Sequence, residues 1–158
     1  MHFKESDGPG VWFPPPLVYV GLAGLAWWLH AIWPLRAPPP FYAVLDPLGL
    51  ALVVGGVLLD AMSLGLFLRE RTSPLPFRPA SVFVAVGPYR LTRNPMYLGM
   101  TMLVAGLGLL VERLGVTLAA FAAAGVIARC VIPREERYLE RRFGASYLDY
   151  KRRVRRWI

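Results

Sequence analysis

Four apolar stretches, 17–33, 48–68, 95–111 and 114–132, dominate this chain of 158 residues. Each approaches the roughly 20 residues that a helix needs to cross a bilayer core about 30 Å thick. The third is completed by taking it from Asn94 to Glu112, with polar ends at the interface. With 56% apolar and only 18% charged residues, a single domain of this size is too apolar to be an ordinary soluble one. The pattern predicts an all-α integral membrane protein with about four transmembrane helices, forming one domain over 1–158. Short amphipathic helices are predicted to follow in the C-terminal segment 134–158, at the cytoplasmic face.

Charge placement orients the bundle, because Lys and Arg are held on the cytoplasmic side. Lys4, the group Arg69, Arg71, Arg78, Arg90 and Arg93, and the tail from Arg134 to Arg156 fall on one side, leaving Arg36 and Arg113 on the other. A multi-pass protein with both termini and the loop 69–94 in the cytoplasm is expected. The net charge of +8 then reads as topology plus attraction to anionic lipid. The bilayer is the expected partner, and no RNA or DNA motif accompanies the charge, so no nucleic acid is expected. Residues 1–16 lack the pattern of a cleavable signal peptide, so the first span is expected to stay in place. Cys130 is the sole cysteine and His2 and His30 are the only histidines. No internal disulfide can form, and no metal is expected.

Several polar groups sit against this apolar background. Pro14 to Pro16 and Pro38 to Pro40 bracket the first span and favour extended connections. His30 lies among Trp27, Trp28 and Trp33 at the outer interface, where a structural role is expected. Asp60 is near the middle of the second span, where a lipid-facing carboxylate costs roughly 2.5–3.5 kcal/mol. It is expected to face the bundle interior, to be protonated, or to be paired, and Arg129 is the intramembrane cation long enough to reach toward it. Spans three and four are joined by Glu112 and Arg113, which predicts a tight antiparallel hairpin that returns residue 133 to the membrane face of residue 94. Small residues at Gly99, Gly106, Gly108, Gly115, Ala119, Ala123 and Ala124 allow close helix approach.

The chemistry is expected where the loop meets the third span. Asn94-Pro95 is a helix start: the Asn side chain can cap backbone N–H groups, and Pro at the first helical position loses no hydrogen bond. First-turn amides flanked by Arg90 and Arg93 attract an anionic ligand group. Beyond Pro133, the residues Leu139, Phe143, Tyr147, Tyr150 and Val154 share a helical face, with Gly144 a break between two short helices. A helix lying on lipid explains the arginines here but gains little from the adjacent Glu135 and Glu136.

Two motifs in order, Gly87, Pro88, Tyr89, Arg93, Asn94, Pro95, Met96, Tyr97 and Gly99, then Glu135, Glu136, Leu139, Phe143, Gly144, Tyr147 and Tyr150, separated by one helical hairpin, resemble the isoprenylcysteine carboxyl methyltransferase and phospholipid N-methyltransferase group of membrane enzymes. The resemblance covers about the last half of the chain. It implies S-adenosylmethionine as methyl donor and a lipid-like or membrane-embedded acceptor, carboxylate or amine. It also implies a cofactor site made of Ser81, Val82, Phe83, Val84, Tyr89, Arg93, Asn94, Pro95, Met96, Tyr97, Glu135 and Glu136, with Arg129 and Glu136 in catalytic roles. Asn94, where many carboxyl methyltransferases have His, is similar to the phospholipid N-methyltransferases. Arg129 matches the group's substrate-contacting arginine loosely.

The chemistry of the donor suits these residue types. A sulfonium with an amino-acid tail needs carboxylate or aromatic groups for its positive parts, which Glu135, Glu136, Tyr89 and Tyr97 offer. Its carboxylate needs N–H or guanidinium groups, offered by the amides after Asn94 and by Arg93. An amine acceptor must also lose a proton, for which Glu136 or Asp60 would serve. Two other readings stand beside this one. A tyrosine-rich ending is similar to that of sterol-type membrane reductases, which would take a nicotinamide cofactor. A basic membrane protein that binds anionic lipid without catalysis would need no cofactor and no Glu pair.

Overall fold

In the computed structural model, which describes residues 10–11, 13–70 and 83–158, every regular element is helical. Lys4, Arg71, Pro74, Pro76, Arg78, Pro79, Ser81 and Val82 lie outside the described residues. The helices are α1 (Pro15–Leu29), α2 (Tyr42–Arg69), α3 (Pro95–Leu110), α4 (Leu114–Cys130), α5 (Ile132–Phe143) and α6 (Ala145–Arg153), with 3₁₀ turns at Pro39–Phe41 and Gly87–Arg90. Helix α3 is central, packed against α2, α4 and α1, while α1 also packs on α4.

Two helical runs, Pro39–Arg69 and Leu114–Phe143, are long and apolar enough to cross a membrane. Helices α1 and α3 are apolar but have 15 and 16 residues, about 23 and 24 Å at roughly 1.5 Å per residue, short of a hydrocarbon core of about 30 Å. The expected four full spans thus resolve into two full-length helices and two shorter apolar ones. The first is trimmed because the chain leaves the helix at His30 and turns tightly through Trp33, whose N–H donates to Leu29 O at 2.8 Å. The second begins before Leu48 and runs straight through Pro47, and the Pro38–Pro40 run leads into it through a 3₁₀ turn rather than an extended link. Within the run 114–143 the apolar part ends at Ile132, and the charged helix α5 projects beyond it.

Helix α2 buries Gly49, Gly56 and Ser63 while exposing Val44, Leu50, Val54, Val57, Leu58 and Met62. A soluble helix does the reverse, so this surface is made for an apolar surrounding. Glycine is what lets α2 meet α3. A Cβ on Gly56 would stand 2.7 Å from Gly99 O, and one on Gly106 would stand 2.6 Å from Gly49 O, so the two backbones touch at two levels. The α3–α4 hairpin closes as tightly as expected: Glu112 takes a left-handed φ of 55°, and Arg113 N–H donates to Gly108 O at 2.8 Å.

The apolar core lies at one end, where Tyr19, Tyr97, Ala123, Ile127, Val131 and Ile132 join α1, α3, α4 and α5, with Trp157 packed against them. Gly144, at φ 54°, separates α5 from α6 at the predicted break. As a result the start of α3, the 3₁₀ turn Gly87–Arg90, α5 and α6 all gather at this end of the bundle.

Candidate functional site

The site is built around the first turn of α3. Asn94 occupies the N-cap position, but its side chain caps nothing there. Its Nδ2 donates to Arg156 O at 2.9 Å, the Thr92 hydroxyl donates to the same carbonyl at 3.1 Å, and Arg93 N–H donates to Arg155 O at 2.9 Å. The expected cap is therefore replaced by a strap: the C-terminal tail crosses the loop and takes up its polar groups. Pro95 starts the helix without a donor to lose, and the first-turn amides of α3 keep no side-chain partner, which preserves a positive helix end for an anion.

Glu135 and Glu136 are adjacent on α5 and do opposite things, since neighbouring helical residues point about 100° apart. Glu135 reaches α3, where the Tyr97 hydroxyl donates to its Oε1 at 2.5 Å. Among the described residues it has no Lys or Arg partner. Burial therefore pushes its carboxyl up to about 7, an effect that the Tyr97 bond opposes and the Glu136 charge reinforces. Glu136 is buried in a cage of cations. Arg93 lies 2.9 Å from Oε1, while Arg156 is 2.7 Å and Lys151 3.8 Å from Oε2. The same contact raises the Arg156 guanidinium above its ordinary value. Glu136 thus ties α5 to the loop, to α6 and to the tail.

Aromatic rings wall the site. Tyr89 is buried beside Phe67 of α2 in an edge contact, and its carbonyl accepts the Tyr150 hydroxyl at 2.7 Å. Its phenol is raised by burial first, then by Tyr150, Glu135 and Asp60, which puts it in the field of both carboxyls. Phe83 is turned to Phe143, Tyr147 and Tyr150, at 5.0–5.6 Å between ring centroids, which bears out the shared face expected for the last three; Val84 is buried. Tyr147 is pushed up to about 12 by burial and by Glu136, against Arg93. Tyr19 of α1, which sequence reasoning missed, anchors Tyr97 from behind: its hydroxyl donates to Tyr97 O at 3.1 Å and lies 2.9 Å from Thr101 Oγ1. A tyrosine within an apolar span was the available signal. Thr92, Lys151 and Arg156 were missed as well, and nothing in their spacing marks them.

Of the predicted residues, Tyr89, Arg93, Asn94, Pro95, Met96, Tyr97, Glu135 and Glu136 are gathered at this end. Met96 is half-buried, and Ser81 and Val82 lie outside the described residues. Arg129 is not brought to the acidic pair: it is exposed on α4 and forms no ion pair among the described residues. Of the alternatives expected for Asp60, it faces the bundle interior, against Gly99, and the pair with Arg129 is not formed, because α2 packs on α3.

A family model described as phospholipid methyltransferase matches residues 44–146, from early in α2 into α6. The chain belongs to the phospholipid methyltransferase family. The matched stretch holds Tyr89, Tyr97, Glu135 and Glu136, so it includes both halves of the site of this phospholipid methyltransferase family member. The chain is also similar to the cobalt-zinc-cadmium resistance protein CzcN of Cupriavidus metallidurans, at 30% identity over 125 residues, which are 79% of this chain and 52% of that protein. It thus spans about half the length of the curated relative it matches. No solved structure matches it.

Proposed function

We propose that this protein is a multi-pass membrane enzyme that transfers a methyl group from S-adenosylmethionine to a lipid-like acceptor arriving from the bilayer. One observation carries the reading: at the start of α3 a carboxyl, Glu135, is half-buried, hydrogen-bonded to Tyr97 and left without a cation among the described residues. A site in that condition favours a cationic ligand, and its neighbours suit the rest of such a molecule. Tyr89 and Tyr97 offer aromatic faces, and the first-turn amides of α3 suit a carboxylate. Arg93 is already engaged by Glu136, so the amides carry that task and the cage around Glu136 holds the frame.

When bound, S-adenosylmethionine supplies an electrophilic methyl on a sulfonium cation. The chain's own contribution is to orient that cation and to exclude water, which raises the worth of each charge inside. Membrane placement is supported by the outward apolar face of α2. The arginines also divide unevenly, with Arg69, Arg90, Arg93, Arg134 and the α6 and tail cations at the site end and Arg36 and Arg113 at the other, which fits a cytoplasmic site with both termini on its side.

Titration calorimetry of the detergent-solubilised protein with S-adenosylmethionine tests the reading, with a nicotinamide dinucleotide as control. Binding of the first alone is expected. Binding of the nicotinamide compound alone would favour the reductase reading, and binding of neither would favour a lipid-binding protein. With an alkyl acceptor series, apparent affinity is expected to improve by about 0.8 kcal/mol per buried methylene until the crevice is filled. Indifference to chain length would point to a soluble acceptor.

A further inference from the structure

Asp60 is a carboxyl that the site described above does not use. It sits on α2 at the contact with α3, where its Oδ1 is sealed from solvent and has no hydrogen-bond partner. A Cβ on Gly99 would overlap that oxygen and stand 2.6 Å from Asp60 Cγ, so the absence of a side chain at 99 is what admits the carboxyl. The residue as a whole is half-buried, so part of it remains accessible from outside the bundle. An orphaned carboxyl oxygen in an apolar interface is unfavourable, and a leucine would pack there without that cost.

Charge pairing narrows what the carboxyl is for. Glu136 is met by Arg93, Lys151 and Arg156, Glu140 by Lys151, and Asp149 by Arg152. Asp46, Glu70 and Glu112 are exposed. Among the described residues, Glu135 and Asp60 are the half-buried carboxyls that no Lys or Arg neutralises. The titratable groups that feel the Asp60 charge are Tyr89 from the loop and Tyr19 from α1, while α3 presents the backbone of Gly99. Gly99, which meets Asp60, lies two residues beyond Tyr97, whose hydroxyl donates to Glu135, so both carboxyls adjoin the first turns of α3. Two carboxyls suit two cations, and a carboxylate acceptor would meet repulsion from both.

We propose that Asp60 is a catalytic residue that binds the ammonium of an amine acceptor and takes its proton. This rests on the methyltransferase reading above. The ammonium gives one proton to the Asp60 carboxylate, which becomes the acid. The freed nitrogen lone pair forms the new N–C bond to the transferring methyl as the C–S bond breaks, and that electron pair stays on sulfur. The products are a methylated ammonium, a neutral thioether and protonated Asp60, which then returns its proton to water, so charge and atoms balance.

The test uses the full chain in phosphatidylcholine nanodiscs doped with dodecylamine or with dodecanoic acid, and compares wild type with Asp60→Asn. Wild type is expected to methylate the amine and not the acid. Asp60→Asn should bind S-adenosylmethionine as wild type does, yet lose turnover by about 100-fold at neutral pH, the size of a lost general base. Its rate should climb with pH as free amine becomes available from solution, whereas a packing defect would lower turnover at every pH. Dodecyltrimethylammonium, a fixed cation that accepts no methyl, should raise the thermal stability of wild type and leave Asp60→Asn unmoved. Methylation of dodecanoic acid, or an Asp60→Asn variant with wild-type turnover or a pH-independent loss, overturns the role of Asp60 and leaves the methyltransferase reading standing. Failure of wild type to bind S-adenosylmethionine overturns both.

Discussion

The Tyr97 hydroxyl of α3 donates to Glu135 Oε1 of α5 at 2.5 Å, joining two motifs 38 residues apart. The hairpin between them makes this possible by returning the chain to the end from which α3 started. If Glu135 holds the cationic part of S-adenosylmethionine, Glu135→Ala removes a charge-assisted hydrogen bond and should weaken cofactor affinity by about 1.5–3 kcal/mol. Titration calorimetry on the folded variant checks this. Unchanged affinity would take Glu135 out of the site.

The raised Glu135 carboxyl makes binding and stability depend on pH. From 4.5, the ordinary value, up to about 7, the folded protein holds a proton that the unfolded chain has released. Stability contributed by this group is therefore fully present below 4.5 and lost as pH rises through about 7. A cation placed on Glu135 favours the ionised form, so cofactor binding just below neutral pH should release a proton. The apparent binding enthalpy should then differ between buffers of unlike ionisation enthalpy, and Glu135→Gln should abolish the difference.

Glu136 should behave otherwise. Its side chain is 8% exposed and that of Arg93 12%, so Glu136→Gln leaves Arg93 enclosed and uncompensated. Arg156 and Lys151, at 38% and 35%, can turn to solvent. A loss of about 3 kcal/mol in stability is expected, at the low end for a broken buried pair. Thermal unfolding at the wild-type temperature would contradict the structural role.

The residues that carried local signals were legible in sequence, and those that depend on the tail were not. Asn94-Pro95 marked the start of α3, and Gly144 marked the break between α5 and α6, because both follow from backbone chemistry. The use of the Asn94 side chain was not legible: its partner is a carbonyl 62 residues away, and main-chain acceptors leave no trace in residue type. The split between Glu135 and Glu136 was equally hidden, since adjacency in sequence says nothing of which neighbour supplies cations. Helix lengths were over-read for α1 because apolar residues continue past His30 into a turn, where hydropathy and helix part company.

Asp60 and Arg129 illustrate the same limit and yield a prediction. A carboxylate and a guanidinium in neighbouring spans invite pairing, yet α2 lies on α3 and Arg129 is exposed on α4. The stability costs of Asp60→Asn and Arg129→Gln should therefore add, within about 0.3–0.5 kcal/mol, in the double variant. A double variant that loses clearly less than the sum would restore the pair.

The contact of α2 with α3 supplies the last prediction. At Gly99 an added Cβ would overlap Asp60 Oδ1 and come within 3.0 Å of Gly56 O, and at Gly56 it would come within 2.8 Å of Leu103 N. At Gly56 the obstacles are all backbone, so no rotamer change relieves them and α2 must move away from α3, whereas at Gly99 the nearest obstacle is the Asp60 side chain. Gly56→Ala should cost about 1–3 kcal/mol, the range for overpacking a tight interior. Gly65 on the same α2 helix is the control, because nothing lies within 4 Å of a Cβ there. Gly65→Ala should be neutral or gain up to about 1 kcal/mol from helix propensity alone. Thermal unfolding of the two variants in one detergent separates the cases. If both respond alike, the approach of α2 to α3 is looser than the backbone contacts at Gly56 and Gly99 require.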